Sequence, residues 1–202
     1  MLPQSVRIKF QKINVLKFIS HLDLCRTMKT ALLRAGIPVW YTEGFNPHPK
    51  MVFSLPLSIG TESECEYMDI KITEEMSFDE IKQRLSDALT ADMAILDVYA
   101  PEMKFQEIGY ATYEITPYAS YDLSPLSKDE VNITKRTKKG EATVNVKDRI
   151  VSVSENEGKI YMILSADTER FVNPEHLLAL CKSEDHRIVR KEVYTRNMKI
   201  FR

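Results

Sequence analysis

The sequence has little of what marks several protein classes. Its three cysteines are odd in number and widely spaced, so they form neither a disulfide framework nor a zinc signature, and we expect reduced thiols. No apolar run reaches the roughly 20 residues of a membrane-spanning helix. The first residues lack the apolar segment of roughly 7–15 residues that a secretory signal needs. These absences predict a cytoplasmic protein that does not cross a membrane.

Glycine is scarce as well, and the common cofactor signatures are missing. The six glycines form neither a dinucleotide-binding motif nor a phosphate-binding P-loop, and there is no G-x-S-x-G elbow and no C-x-x-C pair. His21, Asp23 and Cys25 carry donor atoms, but their spacing is not that of a recognised metal site. We therefore expect no cofactor and no metal in this chain. The missing nucleophile signatures favour a protein that is not an enzyme.

What is present is typical of a folded chain with an uneven charge distribution. The 202 residues are 44% apolar and 28% charged, which allows a buried core in one domain or two. Residues 1–50 carry a net charge of +6, residues 51–100 carry −8, and residues 186–202 carry +5. Such asymmetry indicates either a polyanion or acidic partner at one face, or opposite charges that pair within the fold.

Capping signals and alternation predict the elements of the first half. Residues 6–10 and 66–72 alternate apolar and polar side chains, which is the period of a half-buried strand, and residues 93–99 form another strand. Serine N-caps followed three residues later by an acid predict helices over residues 21–35 and 78–89, on one side of the sheet. The order β-α-(β)-β-α-β is typical of a split βαβ, ferredoxin-like half.

The second half is predicted to repeat that order in diverged form. A capping box at Ser127 predicts a short helix, and Asn173 with the proline after it predicts the start of another. The basic run from Lys135 to Gly140 is expected at a solvated helix end or turn. The predicted strands are residues 110–118, 142–146, 150–153, 159–164 and 188–194. We thus predict an α+β fold of two ferredoxin-like halves in tandem, with residues 1–103 and 104–202 as the two domains.

Two short clusters in the first half carry the polar residues of the predicted site. One is F-I-S-H-L-D-L at the start of the first helix, and the other is G-F-N-P-H-P-K at residues 44–50. The prolines on both sides of His48 restrict the backbone, so this loop should be stiff and display its side chains at low entropic cost. A helix N-terminus attracts anions, and aromatic side chains stack on RNA bases. We predict that one concave surface is lined by the substrate-binding residues Ser20, His21, Arg26, Phe45, Asn46, His48 and Lys50.

Basic residues from distant parts of the sequence are expected beside this loop. They are Arg7, Lys9, Arg26, Lys50 and some of Arg187, Arg190 and Arg196. Each candidate also has a structural interpretation. His21 can simply pack and form hydrogen bonds at the start of the helix, His48 can be a turn spacer, and Trp40 and Phe45 can belong to the core.

Five motifs in these regions resemble a known family. S-H-L-D, R-A-G-I-P, G-F-N-P-H-P-K, L-P-L-x-x-G and E-x-E-Y-x-D stand in family order over about residues 4–100, and T-K-R-T-K-K-G extends the match more weakly. The sequence resembles the radical-SAM-associated (radical-SAM-linked) domain family of bacteria. The resemblance implies a radical SAM protein as partner, in some members with a cobalamin-type domain, and a setting around RNA or ribosome maturation. This chain lacks the C-x-x-x-C-x-x-C that holds the radical SAM iron–sulfur cluster, so the resemblance implies the companion and not the radical enzyme.

Three functional hypotheses remain open. The first is a non-catalytic module that binds RNA, or presents an RNA- or ribosome-related substrate, to a radical SAM partner. The second is a metal-independent endoribonuclease resembling the CRISPR repeat-processing nucleases, with His21 and His48 as general base and acid. The third is a protein-only scaffold that docks through its acidic segment, residues 61–97.

Overall fold

The chain folds as a mixed α+β protein. The computed structural model describes residues 3–137 and 140–202, and three α-helices lie in those ranges. The chain divides into two compact units, one formed by Met1–Phe105 together with Arg202 and the other by Gln106–Phe201. Within the described ranges, no helix is both long and apolar enough to cross a membrane.

The first unit has four strands and two helices in the predicted order. Along the chain these are β1 (Gln4–Lys12), α1 (His21–Arg34), β2 (Met51–Phe53), β3 (Glu62–Ile72), α2 (Phe78–Ala88) and β4 (Ile95–Tyr99). The strands lie side by side in the order β4-β1-β3-β2, and each is antiparallel to its neighbour. In the register of this sheet, Ile8 lies opposite Met68 on one side and Val98 on the other. The element sequence β-α-β-β-α-β is that of a split βαβ unit.

Both helices of this unit begin where the serine caps indicate. The Ser20 hydroxyl accepts a hydrogen bond from the Asp23 backbone N–H at 3.1 Å, and Ser77 accepts one from Glu80 at 3.2 Å. These bonds satisfy amide groups that a helix N-terminus otherwise leaves unpaired. After α1, Gly36 takes a φ of +62°, the left-handed conformation that commonly ends a helix. The two helix predictions are confirmed to within one residue.

The apolar core of the first unit lies on one face of its sheet. Alternate residues of β1, namely Val6, Ile8 and Phe10, are completely buried there. They share one apolar cluster with α1 and α2, which removes the apolar stripes of both helices from water. The helical members of this cluster include Leu24, Met28, Ala31 and Leu32 from α1, and Ile81 and Leu85 from α2. Both helices therefore pack on the same side of the sheet, as predicted.

The second unit is mainly β-structure. It consists of β5 (Ile108–Pro117), β6 (Asn132–Thr137), β7 (Gly140–Asn145), β8 (Ile150–Asn156), β9 (Lys159–Ser165), α3 (Pro174–Leu180) and β10 (His186–Thr195). Four of the strands lie in the order β10-β5-β9-β8, each antiparallel to the next. β6 and β7 pair with each other as a separate antiparallel hairpin.

The prediction of a helix after Ser127 is wrong. A short 3-10 turn ends at Ser127, and the segment after it leads into β6, which begins at Asn132. Val131 and Ile133 are buried on either side of an exposed residue, and this alternation of β-branched side chains favours a strand. Of the basic run, residues 135–137 end β6 and Gly140 begins β7, whereas residues 138 and 139, on which the turn prediction falls, lie outside the described ranges. Because a hairpin stands where the first unit has α1, the tandem ferredoxin-like arrangement is not confirmed.

Candidate functional site

The first predicted cluster is held together by a hydrogen-bond network at the start of α1. The Ser20 hydroxyl donates to the Asp23 carboxylate at 2.7 Å while it also accepts the Asp23 backbone N–H. Arg26 lies 3.3 Å from the same carboxylate and is largely exposed. The hydrogen bond from Ser20, more than the charge of Arg26, lowers the pKa of Asp23. These three residues therefore stabilise the helix start, and the exposed Arg26 guanidinium can still meet a ligand.

His21 is the first residue of α1 and contacts two other side chains. Its imidazole packs edge-to-face against the Phe53 ring, with 5.3 Å between the centroids, and Nε2 lies 3.6 Å from the Cys25 sulfur. Burial raises the pKa of the Cys25 thiol, which leaves less of the reactive thiolate at neutral pH. Within the described ranges, no three His, Cys, Asp or Glu side chains lie close enough together to hold a metal ion.

The second predicted cluster lies on a hairpin formed by residues 40–50, which we call the GFNPHPK hairpin. The Lys50 backbone N–H donates to the Trp40 carbonyl at 3.0 Å, and the Thr42 N–H donates to the His48 carbonyl at 2.9 Å. Between these bonds Tyr41 pairs with Pro49 in an antiparallel bridge. Backbone bonds thus tie together the two arms of the hairpin on either side of its tip.

The tip of the hairpin combines an unusual backbone with an exposed aromatic ring. Gly44 has a φ of +120°, which other residues rarely adopt. The Phe45 side chain is 112% exposed, so its ring has as much contact with water as in an extended chain. His48 is fixed behind the tip, because its Nδ1 lies 3.2 Å from the Thr42 hydroxyl and 3.0 Å from the Asn46 carbonyl oxygen. The hairpin therefore presents Phe45 to solvent from an ordered base.

One face of the hairpin gathers aromatic, basic and polar side chains. Side chains alternate between the two faces of paired extended segments, and the contacts follow that rule. The Lys50 ammonium lies 5.3 Å from the centre of the Trp40 ring, and Thr42 contacts His48 one step nearer the tip. Pro49, on the opposite face, is buried. This face carries two of the seven predicted binding residues, His48 and Lys50.

The two predicted clusters lie on opposite sides of the segment that includes β2. Phe53, which contacts His21, packs against the core on the helix side, whereas Val52 is exposed. Alternation along residues 48–53 then places His48 and Lys50 on the side of Val52, away from Phe53. The structure brings His48 and Lys50 together with Trp40, and it groups Ser20, His21 and Arg26 separately at the helix start.

The expectation of a basic residue beside the loop is wrong for Arg7, which is buried, and Arg190, one of three arginines of which only some were expected there, is buried as well. Arg7 is 1% exposed, and its Nε and Nη2 each lie 2.7 Å from an oxygen of the Asp69 carboxylate. Its guanidinium also stacks 4.4 Å from the Phe105 ring centre and donates to the Arg202 carbonyl at 2.9 Å. Arg190 is completely buried. A guanidinium without access to solvent cannot contact an RNA phosphate.

Lys71 is a site residue that the sequence analysis missed. Its ammonium lies 5.9 Å from the centre of the Trp40 ring, and its carbonyl accepts the Trp40 backbone N–H at 2.7 Å. The alternation of β3 was a usable signal, because Ile70 and Ile72 face the core and leave Lys71 on the other face. The neighbour on that face was not predictable, because Trp40 reaches β3 through an irregular segment.

The comparisons with known proteins agree with the sequence analysis on one point, that the chain belongs to a bacterial protein family. A search of curated proteins found no match. A bacterial family described as "uncharacterized protein conserved in bacteria" (DUF2344) matches residues 5–174, which include both predicted clusters. That description names no radical SAM protein, so the link implied by the resemblance stays a prediction. Since the match covers most of the sequence, this chain belongs to the DUF2344 family.

Proposed function

We propose that this protein is a cytoplasmic, non-catalytic companion of a radical SAM enzyme that binds RNA through the GFNPHPK hairpin. The observation that supports RNA binding is the complete exposure of Phe45 at the tip of a hydrogen-bonded hairpin. A ring in this position adds little to the core, and a base that stacks on an aromatic side chain typically contributes about 1–3 kcal/mol of binding free energy.

The surroundings of Phe45 favour a polyanion that carries bases. Lys50 and Trp40 lie at the base of the same hairpin, with the Lys50 ammonium 5.3 Å from the centre of the Trp40 ring. Basic groups attract the phosphates of a nucleic acid, and aromatic rings bind its unpaired bases. The proposal of a radical SAM partner is supported only by two sequence observations, the family resemblance and the missing cluster-binding cysteines.

We also propose that the second unit is a diverged copy of the first. In both units the four strands of the sheet lie in the order fourth, first, third, second along the chain. A hairpin then replaces the first helix of the second unit. This relation does not bear on the RNA-binding proposal, which concerns residues of the first unit.

The RNA-binding proposal is tested by titrating the purified chain with single-stranded and structured RNA at two salt concentrations. We expect binding that weakens steeply with salt, because phosphate contacts release counterions. Phe45→Ala should weaken binding by roughly 5- to 150-fold, which corresponds to the loss of about 1–3 kcal/mol of stacking. Tyr118→Ala removes another exposed aromatic side chain, in the second unit, and should leave the affinity unchanged.

Three other results would contradict the proposal. The absence of RNA binding at low salt, with and without a radical SAM partner, would favour the protein scaffold. RNA cleavage in EDTA that disappears in His21→Ala and His48→Ala would establish the nuclease instead. A pull-down from the native cell, analysed by mass spectrometry and RNA sequencing, tests the proposal of a radical SAM partner. Failure to recover a radical SAM protein would refute that part of the proposal.

A further inference from the structure

We propose that Lys50 and Lys71, positioned by Trp40, form a phosphate-binding site on the GFNPHPK hairpin. This inference rests on the proposed RNA-binding function and names the part of the surface that would hold the backbone of the RNA strand. The sequence motifs contain only Lys50, whereas Lys71 enters through the fold.

Two positive charges converge on one indole ring. The ammonium groups of Lys50 and Lys71 lie 5.3 and 5.9 Å from the centre of the Trp40 ring, so their separation cannot exceed the sum of these distances. The backbone fixes this arrangement. Trp40 donates its N–H to the Lys71 carbonyl and accepts the Lys50 N–H at its own carbonyl. The backbones of both lysines are therefore held beside Trp40 before any ligand arrives, which lowers part of the entropic cost of binding.

Within the described ranges, no carboxylate neutralises the ammonium groups of Lys50 and Lys71. Across the described part of the chain, neither Lys50 nor Lys71 has a carboxylate within ion-pair distance, although 29 acidic residues are present in the sequence. A cation–π contact at an exposed site contributes only about 0.5–1 kcal/mol, and the two like charges repel each other. An anion bound beside Trp40 would offset both positive charges. Lysine binds phosphate as a compact point charge with three donors.

The position of the lysines relative to Phe45 favours a strand over a single small anion. Lys50 and Phe45 are five residues apart along one arm of the hairpin, roughly 16 Å if that arm is fully extended. A free phosphate can occupy the lysine site, but it carries no base that could stack on the exposed ring at the tip. A single-stranded RNA can place a phosphate at the lysines and a base on Phe45.

The only tryptophan of the chain lies in this site, so its fluorescence reports on the site directly. We would titrate the full chain with a single-stranded RNA of about eight nucleotides, with inorganic pyrophosphate and with a mononucleotide, and record tryptophan emission and affinity. The variants are Lys50→Gln, Lys71→Gln and the double substitution. Lys128→Gln is the matched control, because it removes one positive charge from an exposed position of the second unit.

We expect the RNA to change the emission of Trp40. Each Gln substitution should weaken RNA binding about five- to tenfold near 0.1 M salt and lower the salt slope by about one unit. The Lys128 control should change neither quantity. Circular dichroism would confirm that each variant is folded.

The outcomes separate this inference from the proposed function. RNA binding that is undiminished in the double variant would overturn the phosphate site and leave the RNA-binding function standing. A response of Trp40 to pyrophosphate that the double variant abolishes, without any RNA binding, would keep the anion site and overturn the RNA function. No binding of either ligand would overturn both.

Discussion

At the scale of single residues, the most demanding feature is the buried charge of Arg7. A buried charge is tolerated only when it is paired and its hydrogen-bonding groups are satisfied. Arg7 meets this condition with two bonds to Asp69, one to the Arg202 carbonyl and a stacked Phe105 ring. Its neighbours Val6 and Ile8 face the helices, so Arg7 belongs to the opposite face of the sheet. Its role is structural.

Arg7 and Asp69 are buried to different extents, and this difference leads to a prediction about stability. Asp69→Ala would leave a guanidinium that is 1% exposed without its carboxylate, so we expect a loss of about 3–5 kcal/mol in the free energy of unfolding. Arg7→Met would leave Asp69, which is 26% exposed and can be hydrated, so the loss should be smaller, about 1–2 kcal/mol. Urea unfolding of both variants measures the difference. Equal losses, or a larger loss for Arg7→Met, would contradict this account.

The residues whose roles were misjudged from the sequence have partners far away along the chain. Arg7 has the alternating basic pattern of an exposed strand face, but Asp69 and Arg202 lie 62 and 195 positions later. Lys71 was missed for the same reason, because only the fold brings it to Trp40. In contrast, the constraints around Phe45 are local, since Gly44 next to it has a φ of +120° and prolines stand on both sides of His48.

At the scale of elements, each helix of the first unit has the same kind of serine capping bond at its start. The two helices differ in a second hydrogen bond from the serine hydroxyl to the acidic side chain. Both Ser20 and Ser77 accept a backbone N–H from the residue three positions later. Only at α1 does the serine hydroxyl also donate to the acid, because the Glu80 carboxylate at α2 pairs with Arg84 at 2.6 Å. The stability supplied by Ser20 should therefore depend on pH.

We expect Ser20→Ala and Ser77→Ala each to lower the free energy of unfolding by about 1 kcal/mol near neutral pH. The Ser20 bond lowers the pKa of Asp23 in the folded state, so the added stability is complete above the unfolded value of about 3.9 and is lost as the pH falls through the lower folded value. The effect of Ser20→Ala should shrink in acid, while that of Ser77→Ala should stay constant. Urea unfolding between neutral and acidic pH checks this, and parallel curves for the two variants would refute it.

Local signals were sufficient for every helix and strand of the first unit except β2, and not for all of the second unit. Serine caps and alternating side chains predict α1, α2, β1 and β3 because each signal lies within the element itself. The segment after Ser127 also begins with a capping-box pattern, but it continues into Val131 and Ile133. The burial of these two residues favours a strand. Whether such a segment forms a helix or a strand depends on the surface that is available to cover its apolar residues.

At the scale of the whole molecule, residue 202 belongs to the first unit although residues 106–201 form the second. Its backbone carbonyl accepts hydrogen bonds from Arg7 at 2.9 Å and from the Met103 N–H at 3.0 Å. Its side chain is half exposed and lies 3.7–4.0 Å from the acidic groups of Glu102 and Asp97. The backbone of this residue is thus more important for stability than its side chain.

A chain that stops at residue 201 should lose about 1–3 kcal/mol in the free energy of unfolding, because it removes an acceptor from the buried Arg7. Arg202→Ala keeps that carbonyl and loses half-exposed ion pairs and a cation–π contact with the Tyr99 ring at 5.2 Å, so its effect should be about 1 kcal/mol. Thermal and urea unfolding of the two variants compare them. A larger effect of Arg202→Ala would show that the side chain is the important group.

The bond between Arg7 and Arg202 also sets an order of events during synthesis. The ribosome makes β1 early, but the guanidinium on that strand gains its carbonyl acceptor only after 195 further residues have been joined. Until then the nascent first unit carries a charge that is incompletely satisfied, and closing so long a loop is slow. The amino-terminal half can begin to fold as it emerges, but it reaches its final packing only after translation has passed the second unit.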